Sequence, residues 1–118
     1  MEYKFVNTKT KYGSQYNLIR VEQPYDFLSM IFEGNERPED IQKIINGINE
    51  VKSGAKDSYY FGNDNGFTAV ATSVNFNNEA KEGVRIYDAF GQSPEKESFI
   101  VSFTDLLNIL QEFKEFIK

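Results

Sequence analysis

The chain has 118 residues, enough for one domain with a core of its own, and it carries 40% hydrophobic and 26% charged residues. It has no cysteine, which removes disulfides, thiolate metal sites and thiol nucleophiles, and no histidine, which removes the commonest general base and transition-metal ligand. Its 18 acids against 13 bases give a net charge of −5, a balance that argues against a nucleic-acid binder.

Residues 2–7 are expected to form a first strand. Lys11, Tyr12, Gly13 and Ser14 make a turn, with Gly13 at positive φ. Residues 15–22, with Tyr16, Ile19 and Val21, form a second strand that Pro24 stops. In residues 25–32, Phe27, Leu28, Ile31 and Phe32 share one helical face, so a short helix is expected there, ended by Gly34. Residues 38–52 are the clearer helix. Pro38 suits its first turn, Glu39 and Asp40 suit the positive end of its dipole, and Ile41, Ile44, Ile45, Ile48 and Val51 form one apolar stripe. Gly47 interrupts that stripe at a cost of about 1 kcal/mol against alanine. Ser53 and Gly54 end the helix, Gly54 in the left-handed terminal position.

Residues 58–62 make an aromatic strand, and Asn63-Asp64-Asn65-Gly66 provides Asn-Gly, a strong signal for a tight hairpin. In the strand expected over 67–76, Thr68, Val70, Thr72, Val74 and Phe76 share one face, and Phe67, Ala69, Ala71 and Ser73 the other. Polar loops at 77–83 and 91–97 separate two more strands, 84–90 and 98–103. A helix over 104–117 closes the chain; Leu106, Leu107, Ile109, Leu110, Phe113, Phe116 and Ile117 make its apolar face, and Ser102 or Thr104 caps it. The expected architecture is therefore α+β, a single domain over 1–118. One antiparallel sheet of about four to six strands is packed by helices, with a C-terminal amphipathic helix.

Motifs that carry chemistry do not emerge. Setting Gly66 as the invariant glycine of a calcium loop places Phe61 at the first ligand position and Thr72 at the twelfth, so that reading fails. No phosphate-cradling glycine pattern is present. Carboxylates such as Asp57 and Asp88 read as sheet-end or solvated groups. The expectation is a non-enzyme with no catalytic, cofactor-binding or metal-binding residues and no cofactor. No apolar run reaches the roughly 20 residues of a membrane span, and the N-terminus lacks the pattern of a signal peptide, so a cytoplasmic protein is expected.

Charge patterning is more informative. Residues 22–40 hold Glu22, Asp26, Glu33, Glu36, Glu39 and Asp40 against Arg37 alone, a local charge of −5, while acids and bases cancel over the remainder. Such a patch steers a basic protein partner. Tyr59 and Tyr60 beside the hairpin turn are of the type that anchors interfaces, where tyrosine supplies rigid apolar area and a polar tip. The candidate partner-binding residues are Glu33, Glu36, Glu39, Asp40, Tyr59 and Tyr60. The basic cluster Lys4, Lys9, Lys11 and Arg20 reads as a solvated hairpin. The sequence leaves open whether the segment ending at Phe32 packs inside a monomer or against a second copy in a homodimer.

Two stretches carry a family resemblance. Residues 38–61 run from an acidic-started, Ile-rich helix through the Ser53-Gly54 break into an aromatic strand that leads to Tyr60-Phe61-Gly62-Asn63. Residues 84–117 run from strand through a polar loop with Ser93-Pro94 into Phe99-Ile100-Val101-Ser102-Phe103-Thr104-Asp105-Leu106-Leu107 and a Phe-rich closing helix. In this style, about two thirds of the chain resembles the small acidic α+β immunity proteins of bacterial polymorphic and contact-dependent toxin systems. The resemblance implies a cytoplasmic protein that neutralises a cognate toxin by direct binding. Two other readings stand beside it: a regulatory or mobile-element protein that inhibits a nucleic-acid enzyme through an acidic surface, and a hydrolase that uses carboxylates alone.

Overall fold

The computed structural model describes residues 2–22, 26–32, 34, 36–62, 67–72, 83–88 and 99–118. Within them the chain runs β1 (Tyr3–Lys9), β2 (Gln15–Val21), α1 (Phe27–Ile31), α2 (Pro38–Lys52), β3 (Ser58–Gly62), β4 (Phe67–Thr72), β5 (Gly83–Asp88), β6 (Phe99–Val101) and α3 (Phe103–Phe116). The α+β architecture and the closing helix are as expected, but the strands divide between two antiparallel sheets, β1-β2 and β3-β4-β5-β6. At the outer side of β2, groups other than a strand take up the pairing positions. The Asn17 N–H donates to the Gly34 carbonyl at 3.0 Å, and the Val21 N–H donates to Ser29 Oγ of α1 at 3.1 Å. The Asn63–Gly66 turn, the loops over 77–82 and 91–97 and residues 73–76 of the expected strand lie outside the described residues.

In the four-stranded sheet, Ala69 and Ala71 of β4 lie opposite Phe61 and Tyr59 on one side and Ile86 and Val84 on the other. This is the core face: Ala69, Ala71, Val84 and Ile86 are fully buried. Small alanines on a central strand let helices approach closely, and both α1 and α2 contact β4. α1 is too short to hold itself by its own backbone bonds. Burial of Leu28, Ile31 and Phe32 holds it in place. α2 buries Ile41, Ile45, Ile48 and Val51, and α3 buries Phe103, Leu106, Ile109, Leu110 and Phe113. Each stripe recurs at three- and four-residue spacing, as a core-facing helix requires. One continuous hydrophobic cluster joins these residues to Ile19 of β2. The Phe113 ring, fully buried, lies 5.5 Å from Phe5 of β1 and 5.6 Å from Phe32, so it fastens the two-stranded sheet to the remaining core.

Candidate functional site

The acidic start of α2 is built by local backbone demands. The first turn of any helix leaves N–H groups without intrahelical partners, and carboxylates there are favoured by the dipole. Asp40 folds back so that its Oδ2 accepts from the Arg37 N–H at 2.9 Å. Glu36, half-buried, accepts from the Gly34 N–H through Oε2 at 3.0 Å. Gly34 has φ +99, and a Cβ on it would sit 2.9 Å from the Tyr16 ring, so glycine is required where the segment crosses β2. Glu36 and Asp40 thus serve the turn and the helix start, whereas Glu39 is exposed with no such duty. Glu33 lies outside the described residues.

The two tyrosines part company. Tyr59 faces the core side, half-buried, its ring 5.9 Å from that of Phe61 and seated on Gly47 of α2, where an added Cβ would come within 2.5 Å of the ring. Burial pushes the Tyr59 phenol above its ordinary value, partly offset by the nearby Lys56 ammonium. Tyr60, next along the strand, points to the opposite face and is 61% exposed. Its cross-strand row continues through Val70, Arg85 and Ile100, one residue from each strand of the sheet. Among the described members of the candidate set, Tyr60 and Glu39 are therefore the two that face solvent and serve no identified local structure, and they do not form one cluster. Gly47, which locates β3 against α2, is eight residues from Glu39, about 12 Å along the helix.

Sequence reasoning missed the companions of Tyr60, because identifying them needs the register of all four strands. It read the basic cluster Lys4, Lys9, Lys11 and Arg20 as a solvated hairpin, without the pairing on the outer face of β1 and β2. There Lys4 stands directly opposite Arg20, and the two line an open cleft of about 380 Å³ with Glu2 and Glu22. Among the described residues, no group of three or more His, Cys, Asp or Glu could hold a metal ion, and no helix is long and apolar enough to cross a membrane. Comparison with protein-family models, with curated proteins and with solved structures gives no match.

Proposed function

We propose that the protein is a non-enzymatic binding domain of the immunity type, which neutralises a toxin by occupying its surface. The observation that carries this reading is Tyr60, held 61% exposed on a β-strand whose other aromatic residues, Tyr59 and Phe61, turn toward the core. An exposed tyrosine on a rigid strand is a low-entropy anchor for a protein partner. The acidic segment adds electrostatic steering toward a basic partner, with the exposed Glu39 and Asp40 and with Glu33 and Glu36 alongside them in sequence. Tyr59 supports the site from beneath. The partner is a protein with a basic surface, met in the cytoplasm.

The test is capture of the tagged chain's partner from host lysate at low and high salt, followed by kinetics with the purified pair. Glu39→Lys slows association several-fold and flattens its salt dependence, since rim charges act on the encounter rate. Tyr60→Ala speeds dissociation by about tenfold or more while leaving stability within about 0.5 kcal/mol. Unchanged association and dissociation in both variants, with an authentic partner, would remove these residues from the interface.

A further inference from the structure

The two edges of the hairpin differ. Glu22 N–H donates to the Glu2 carbonyl, and Thr10 N–H donates to the Ser14 carbonyl. With the register between them, this fixes Lys4, Val6 and Thr8 as the residues of β1 that exchange hydrogen bonds with β2. The N–H and C=O groups of Tyr3, Phe5, Asn7 and Lys9 therefore point away from β2. On the β2 side, the outward N–H groups of Asn17 and Val21 are taken up by Gly34 and Ser29. On the β1 side, no hydrogen bond from the outward N–H groups is present among the described residues. At seven residues, β1 is a longer free edge than the five-residue β3.

What flanks this edge has a definite chemistry. β1 carries Lys4 and Lys9 and no acid, and residues 1–21 hold four bases against Glu2 alone, a net +3. On the outer face Lys4 stands opposite Arg20, a like-charge cross-strand pair that is unfavourable by itself. Among the described residues, the ion pairs Lys56–Glu50 and Lys118–Glu115 lie elsewhere. On the other face, the Phe5 ring lies 5.5 Å from Phe116, which is 39% exposed. Lysines on this open edge disfavour pairing with a second copy of itself, and they favour a strand of opposite charge. The outer-face acids Glu2 and Glu22 disfavour a continuous polyanion such as nucleic acid.

We propose that the free edge of β1 docks an extended acidic segment of a partner protein, which adds to the hairpin as a third strand. Its main chain bonds to Tyr3, Phe5, Asn7 and Lys9. Its acidic residues lie beside Lys4, with Arg20 one strand further in on the same face, and its alternate apolar residues cover Phe5 and Phe116. This surface is separate from Tyr60 and Glu39 and does not depend on the immunity reading.

The probe is a fluorescein-labelled peptide of alternating glutamate and valine, titrated into the full chain and read by anisotropy and by residue-resolved amide exchange. In the free chain the amides of Lys4, Val6 and Thr8 exchange slowly and those of Tyr3, Phe5, Asn7 and Lys9 fast. Saturable binding that slows the second set is the expected result. Lys4→Glu with Arg20→Glu weakens binding about tenfold or more. Asn7→Pro deletes one outward N–H and leaves the main-chain bonds to β2 in place, so it weakens the peptide while Lys4 and Val6 stay protected; Asn7→Ala, which loses only the Asn7 Nδ2 donation to Asn17 Oδ1 at 2.8 Å, leaves peptide affinity unchanged. Absence of protection at the outward amides, affinity that survives Asn7→Pro, or equal binding of a lysine–valine peptide or oligothymidylate would each overturn the proposal. So would concentration-dependent dimerisation of the free chain that protects the same amides.

Discussion

A methyl group at Gly47 would meet three atoms of the Tyr59 ring at 2.5–2.6 Å, so the glycine that weakens α2 as an isolated helix is the seat of a strand residue. In an exposed helix, Gly→Ala stabilises by about 1 kcal/mol. Here overpacking of about 1–3 kcal/mol opposes it. Gly47→Ala is expected to lower the urea midpoint, and the double variant Gly47→Ala with Tyr59→Ala to recover part of the helix gain. The same burial raises the Tyr59 phenol pKa. The folded state then holds its proton to higher pH than the unfolded state does. Its contribution is fully present below about pH 10 and is lost as pH rises through the folded value. Urea midpoints measured from pH 8 to 11 should fall less steeply above pH 10 in Tyr59→Phe than in the parent. Tyr59 and Tyr60 are indistinguishable as residue types; only the strand's alternation, anchored to α2, makes one a packing group and the other a surface anchor.

At the scale of elements, the caps decide where helices begin. Ser102 is the cap of α3: its Oγ accepts from the Asp105 N–H at 3.1 Å, and Thr104 lies inside the helix. Ser102→Ala is expected to cost about 1 kcal/mol, seen as a lowered urea midpoint, whereas Thr104→Ala changes it by less than about 0.5 kcal/mol. α2 and α3 were legible from their apolar stripes because a 3.6-residue period survives in sequence. β1 and β2 were legible from their turn residues. The end of β1 was read short, since Thr8 and Lys9 carry no apolar signal, yet they pair with Tyr16 and Gln15. Which face of β4 meets the core was not legible. Bulk favours Val70, but the helices need the flat surface that Ala69 and Ala71 offer.

For the whole molecule, Phe113 is the residue on which the two sheets depend together. Its ring meets Phe5 and Phe32 and is completely buried. Phe113→Ala is expected to cost about 3–5 kcal/mol, measured by urea unfolding. Unfolding followed separately by signals from the hairpin and from α2 should stay coincident in the parent and separate in this variant, because the Phe5 ring loses a main partner in the core. α2 and α3 are further tied by Lys114 Nζ donating to Gln42 Oε1 at 2.7 Å.

Taken alone, the sequence determined the α+β class, the extents of the long helices, the acidic segment and the absence of cysteine and histidine chemistry. These follow from composition and from periodicities local to each element. The tertiary structure decided that the strands form two sheets and that Gly34 and Ser29, rather than a strand, occupy the outer edge of β2. It also decided that Glu36 and Asp40 are engaged in backbone bonds, and that Tyr60 faces outward while Tyr59 rests on Gly47. Each of these depends on which distant residue fills a hydrogen-bonding group or a packing gap, and no local pattern in a single chain encodes that.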